Sequence, residues 1–215
     1  MFAGIAQLVT LGLIAGGQPP EDLAKVVNST QVEYGAIQTP YGVYVTRQDT
    51  PWGTDGRSTI ISIQIDENGD RIERPASFSH PAYADSDPYY DAVRDRLCFV
   101  STRPDPEENT REQAGDIWCA VRDGEKWASP TPLPSPVNSE GREYSPVIDD
   151  QGQLYFASTR QGGFGQGDIY SAIEGTGDKW QVRNSGPAIN TPTGEWNVAI
   201  SPDGNQLIFE ASQRT

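Results

Sequence analysis

Leu154-Tyr155-Phe156-Ala157-Ser158-Thr159-Arg160, then Gly167-Asp168-Ile169-Tyr170, then Lys179-Trp180: this succession of motifs occurs twice in the chain. The earlier copy reads Leu97-Cys98-Phe99-Val100-Ser101-Thr102-Arg103, Gly115-Asp116-Ile117-Trp118 and Lys126-Trp127. Order is kept, and the copies lie about 52–57 residues apart, a loop-length difference absorbing the spread. Self-similarity at such a period implies an array of like supersecondary units. It also warns that residues recurring in every unit build the repeat before they build an active site.

Within each unit the signals are those of short strands. In the second repeat they fall at Tyr89 to Val93, Leu97 to Thr102 and Asp116 to Arg122, with a fourth starting near Trp127 after the Asp123-Gly124 turn. The third repeat has the same plan: Ser145 to Ile148, Leu154 to Thr159, a glycine-rich loop from Gln161 to Gly167, and Asp168 to Ala172. A degenerate first repeat begins near Val32. It carries Gly42-Val43-Tyr44-Val45-Thr46-Arg47, whose end matches the later Thr-Arg pairs, and an alternating strand from Ser58 to Ile65. A fourth opens with Trp196 to Ile200, turns at Ser201-Pro202-Asp203-Gly204, and continues with Leu207 to Ala211. Four short antiparallel strands per unit of ~53 residues predict an all-β chain, a β-propeller of four-stranded blades with about 3.5 repeats. Blades apolar on both faces must stack on their neighbours, which accounts for 5 Trp, 9 Tyr and 6 Phe without a ligand. The expected blades are residues 32–85, 86–143, 144–195 and a partial 196–215, preceded by a connector at 18–31 with weak helical character at Glu21 to Val27.

Met1 to Gly17 contains no charged side chain, is mostly apolar from Phe2 to Ile14, and ends in small residues. It reads as the apolar core and cleavage zone of an export signal, although the customary early Lys or Arg is missing. The alternative is a strand or helix of the fold. It is too short to span a bilayer, for which about 20 residues are needed, and no other stretch is a membrane span. Cys98 and Cys119 fall on adjoining strands where they could face each other, so an exported chain would bridge them as a disulfide; otherwise they pack as small buried hydrophobes.

The motifs Ser201-Pro202-Asp203-Gly204 with Leu207-Ile208-Phe209, and Phe156-Ala157-Ser158-Thr159-Arg160 with Gly167-Asp168-Ile169-Tyr170, resemble WD-like propeller repeats of the TolB type. The run Gly186-Pro187-Ala188-Ile189-Asn190-Thr191 resembles their inter-blade segment. The resemblance covers residues 32–215 and is strongest in 86–211. It implies an exported, periplasmic or secreted protein of the kind found in the Tol–Pal system and beside OmpA-like domains. Such propellers are usually six-bladed, so the repeats present imply an incomplete or open ring. Either the chain is part of a longer one, or the stretch from Ile5 to Ile14 helps to close a small array.

A net charge of −14 repels phosphate backbones and excludes nucleic acid as the expected partner. Arg103 and Arg160 end the second strands, while Asp116 and Asp168 precede the third. An Arg–Asp contact inside each blade is the structural expectation for these four, and a polar ring around the channel, contacting a ligand, is the functional one. With one histidine, His80, no multi-histidine metal site can form, and no Gly-x-Ser-x-Gly elbow exists. The glycine-rich loop precedes a strand and lacks a following Lys-Ser/Thr, which argues against phosphate binding. The turns Asp66-Glu67-Asn68-Gly69-Asp70 and Asp149-Asp150-Gln151-Gly152 lack the alternating spacing of calcium loops. No metal and no cofactor is expected. The leading expectation is a non-catalytic exported propeller that binds a protein or an envelope polymer. The competing one is a propeller enzyme or glycan-binding module with a polar channel site.

Overall fold

The computed structural model describes residues 29, 31–49, 57–106, 115–177, 179–201 and 204–212. The export-signal reading at Met1 to Gly17 and the helical reading at Glu21 to Val27 lie outside these residues. Blade one consists of β1 (Val32–Thr39), β2 (Gly42–Gln48), β3 (Ser58–Ile65) and β4 (Arg71–Pro75), antiparallel in that order. Blade two holds β5 (Asp85–Asp91), β6 (Arg96–Ser101), β7 (Asp116–Asp123), β8 (Lys126–Trp127) and β9 (Thr131–Pro132). Its outer strand is split, since both β8 and β9 pair with β7. Prolines at 130, 132, 134 and 136 explain the split, because proline cannot donate to a ladder. Blade three is β10 (Glu143–Ile148), β11 (Leu154–Ser158), β12 (Asp168–Glu174) and β13 (Trp180–Asn184). A two-stranded sheet of β14 (Glu195–Ile200) and β15 (Leu207–Ala211) follows. Among the described residues the ring of blades is open, and no helix is long and apolar enough to cross a membrane.

Because side chains alternate across a strand, each blade presents two apolar faces. Ile37, Tyr44 and Ile60 of blade one meet Leu97, Phe99, Trp118 and Trp127 of blade two. The opposite face of blade two, with Ile117, Cys98 and Cys119, meets Leu154, Phe156 and Tyr170 of blade three. Ala157 and Ile169 then meet Val198 and Ile200 of the two-stranded sheet. Phe99, Phe156, Ile117 and Ile169 are completely excluded from solvent, each worth about 1.5–3 kcal/mol of burial. Polar bonds join the same seams: Trp127 Nε1 donates to Tyr44 Oη at 2.7 Å, and Tyr89 Oη to the Ile148 carbonyl at 3.0 Å. Cys98 and Cys119 are directly opposed across β6 and β7 and joined as a disulfide. At the same register blade three carries Tyr155 and Ser171.

The innermost strands β1, β5, β10 and β14 contact one another in that order around the axis. Each contains a bulge, at 34/37, 86/89, 144/147 and 196/199. This corrects one reading. The apolar pattern places the first strand of repeat two at Tyr89 to Val93, but β5 starts at Asp85, and Val93 lies in the turn with 57% of its surface exposed. A bulge admits one extra residue and breaks the alternation on which the pattern depends.

Candidate functional site

Two sets of residues recur in register at the head of the innermost strands. The first is an acid: Glu33, Asp85, Glu143 and Glu195. In β5 and β10 it faces the serine that ends the second strand, Ser101 or Ser158. Asp85, Glu143 and Glu195 are fully buried. Arg103 reaches Asp85 through Nη2, at 2.9 and 2.8 Å, and Ser101 Oγ through Nε. Arg160 repeats this with Glu143 Oε1 at 3.1 Å and Ser158 Oγ at 2.9 Å. Both guanidinium groups also lie over a cross-strand aromatic pair. Arg103 stands 5.3 and 5.2 Å from the Phe99 and Trp118 ring centres, and Arg160 5.2 and 4.7 Å from those of Phe156 and Tyr170.

The Arg–acid contact expected inside each blade therefore forms, but with a different acid. Asp168 instead accepts the backbone N–H groups of Phe164 and Gly165 and the amide of Asn184. Two amides of the glycine-rich loop are thus directed at its own carboxylate. Asp116 heads β7 opposite Ser101. In blade one Arg47 occupies the register of Ser101 and Ser158, not that of Arg103, and it pairs with Glu33 at 2.6 Å and Glu73 at 2.7 Å. The Thr46-Arg47 match to the later Thr-Arg pairs is thus a coincidence of composition.

The acidic turns also satisfy themselves. Asp66 Oδ1 accepts the N–H groups of Asn68 and Asp70, and these bonds hold its carboxyl below the usual range. Asp149 Oδ1 accepts Gln151 and Gln153. Among the described residues no group of three or more His, Cys, Asp or Glu could hold a metal.

The second recurrent set lies two residues after each acid: Gly35, Asp87, Ser145 and Asn197. All four sit at the bulge with positive φ, at 60°, 51°, 48° and 49°. Left-handed backbone costs a non-glycine residue about 1–2 kcal/mol, least for Asn and Asp. Recurrence at one register has a structural reading, the bend that turns each strand along the axis. These residues also line a cleft of about 230 Å³ to which all four sheets contribute. Its walls are mostly apolar, with Tyr89, Val147 and Phe209, while Glu210 stands at its edge beside the exposed Ile208. Ser145 Oγ donates to Asn197 Oδ1 at 3.2 Å, and Asn197 Nδ2 to Glu210 at 2.8 Å.

Asp87 is the one ionisable member of this quartet. Its N–H is held by Thr46 Oγ1 and its carboxylate accepts from Ser86 Oγ. Burial against the apolar walls pushes its carboxyl up to about 6, the Ser86 hydroxyl opposing. Burial and the Asp87 charge also raise the Tyr34 hydroxyl, and burial lifts Tyr89 to about 12. A carboxyl raised above its unfolded value of about 3.9 favours folding most when protonated, so that contribution is complete below pH ~4 and lost as pH rises through ~6. At pH 8 the ionised group costs about 1–3 kcal/mol. Asp87→Asn should therefore melt about 3–8 °C above the parent at pH 8, with the gap closing by pH 4. Thermal unfolding across that range checks this, and an unchanged or lower melting point at pH 8 contradicts it.

Stacked four-stranded blades around an axial cleft define a β-propeller. No protein-family model matches the sequence, and no curated protein does. Solved structures do. A protein assigned as TolB from Agrobacterium tumefaciens aligns at TM-score 0.53 and 19% identity over 86% of this chain. TolB from Acinetobacter baumannii aligns at TM-score 0.53 and 14% identity over the same share. A puromycin-hydrolysing peptidase from Mycobacterium tuberculosis aligns at 16% identity and TM-score 0.47, too low to support an argument. The chain has the TolB-like propeller fold. It spans 56% and 39% of the two TolB structures, and at these identities the likeness is one of fold.

Proposed function

We propose that the protein is a non-catalytic β-propeller scaffold of the bacterial cell envelope that binds a protein partner at its axial cleft. The observation that carries this reading is the division of labour among its polar groups. The buried acids of the first three blades are joined to arginines and hydroxyls that hold the blades together. The second recurrent set faces a cleft with apolar walls and a sparse polar rim, the composition expected of a recognition surface. The TolB-like fold supports an exported, periplasmic or secreted location, where the Cys98–Cys119 disulfide would persist.

A photo-crosslinking amino acid at Ile208, exposed at the cleft edge, tests this directly in the native cell envelope. Parallel placements at Val121 and Ile173, equally exposed on third strands, serve as controls. A discrete adduct from position 208 and none from the other two is the expected result. Equal labelling from all three, or none, removes the axial cleft as the binding face.

A further inference from the structure

The repeat supplies its own control for the chemistry of the cleft. At the left-handed bulge position three blades place neutral residues, Gly35, Ser145 and Asn197, and only the second places a carboxylate. The bend therefore does not require charge, and Asp87 needs another explanation. Its surroundings sharpen the point. The acids Glu33, Asp85 and Glu143, two residues before the bulge, each face a guanidinium, and Asp91 has both Arg94 and Arg96. Asp87 has no cation among the described residues. Among the described residues its carboxylate accepts one hydrogen bond, from the neighbouring Ser86 hydroxyl. A carboxylate has about four acceptor positions, and Asp87 lines the cleft. Glu210 adds a second negative group; among the described residues it accepts from Asn197 and has no ion pair.

We propose that the axial cleft receives a basic side chain, lysine or arginine, from a polypeptide partner, its charge meeting Asp87 and its aliphatic stem lying along Tyr89, Val147 and Phe209. A long basic side chain is apolar along its stem and charged at its end. That is the arrangement of this cleft, with apolar walls and its carboxylates unmatched. A carboxylate left without a counter-ion in apolar surroundings is costly in the free protein, and an arriving cation relieves that cost. The tyrosines at 34 and 89 also line the cleft, and an aromatic ring attracts a cation over its face. The net charge of −14 adds long-range attraction for a basic partner.

This proposal rests on the axial cleft being the binding face and names what it selects. The test is an NMR titration of the whole chain with Nα-acetyl-lysine-N-methylamide and with its neutral isostere, the norleucine compound. Amide signals of Gly35, Asp87, Ser145 and Asn197 report on the cleft. The lysine compound should produce saturable shifts there at 50 mM salt, weakened at least tenfold by Asp87→Asn and less by Glu210→Gln. The norleucine compound should bind at least tenfold more weakly to the parent. Because Asp87→Asn is expected to be more stable than the parent at neutral pH, loss of binding cannot be ascribed to unfolding. Equal affinity for the two compounds overturns the charge preference while leaving the cleft as a binding face. Lysine binding that survives Asp87→Asn overturns the role of that residue. If neither compound binds, the basic-side-chain proposal fails, and the crosslinking from position 208 still decides the axial reading by itself.

Discussion

Glu143→Ala should lower the stability of the protein by about 3–5 kcal/mol, a drop of roughly 10 °C in melting temperature for a chain of this size. Glu143 is fully buried. Its Oε1 accepts from Ser139 Oγ at 2.6 Å, Ser158 Oγ at 2.8 Å and Arg160 Nη2 at 3.1 Å, and its Oε2 from the Ser139 N–H. Truncation leaves the Arg160 guanidinium without its counter-ion in a position only 14% exposed. It also leaves two hydroxyls without acceptors. Removing one partner of a buried pair is costly because the other charge stays behind, whereas the net worth of the intact pair is small. The double substitution Glu143→Leu with Arg160→Met should therefore recover part of the loss. Denaturant unfolding of the parent, Glu143→Leu, Arg160→Met and the double variant forms a cycle that measures the coupling. A Glu143→Ala variant within about 1 kcal/mol of the parent would show that the buried acid is not what fixes the blade.

The same contact shows what the sequence makes legible. The blades were readable because both faces of every sheet are apolar, so Leu97 to Ser101 and Leu154 to Ser158 stand out as repeated runs, and their period implied propeller stacking. Arg103 and Arg160 were also visible, as residues closing those runs. Their partners were not. The acids at Asp85 and Glu143 lie in polar stretches that look like loops, and strand register, not proximity in the motif, sets them against Ser101 and Ser158. A signal existed: Glu33, Asp85, Glu143 and Glu195 recur at the repeat period. The bulge quartet left a fainter trace, because Gly35, Asp87, Ser145 and Asn197 share a backbone conformation and no side-chain chemistry. What unites them is tolerance of positive φ, which marks a turn as readily as a strand. The axial cleft therefore emerged only once the four innermost strands were set side by side.

Asn190→Ala should cost about 1–3 kcal/mol, and its effect should be concentrated at one amide. The Asn190 side chain closes on a single residue of β12. Its Oδ1 accepts the Ile169 N–H at 2.8 Å, and its Nδ2 donates to the Ile169 carbonyl at 2.9 Å and to Asn184 Oδ1 at 2.7 Å. It thus acts as one more residue of ladder where the outer strand of blade three has ended. Asn138 performs the same service for Ile117 in blade two, with bonds of 2.8 and 3.0 Å. Ile169 is wholly buried and Asn190 is 2% exposed, so water cannot readily replace the lost partner. The Ile169 N–H is then stranded at a cost of about 1–3 kcal/mol, while its carbonyl keeps the Ser185 N–H at 3.0 Å. Aspartate offers a partial remedy at neutral pH, since its carboxylate can accept from the N–H but cannot donate to the carbonyl. Leucine fills the space and leaves the N–H unmet. Hydrogen exchange at the Ile169 amide should accelerate in the alanine and leucine variants by at least tenfold more than at Ile117, whose clamp is intact, and less in the aspartate variant, which keeps an acceptor for that N–H. Uniform acceleration at both sites would mean that Asn190 contributes to general packing and not to this clamp.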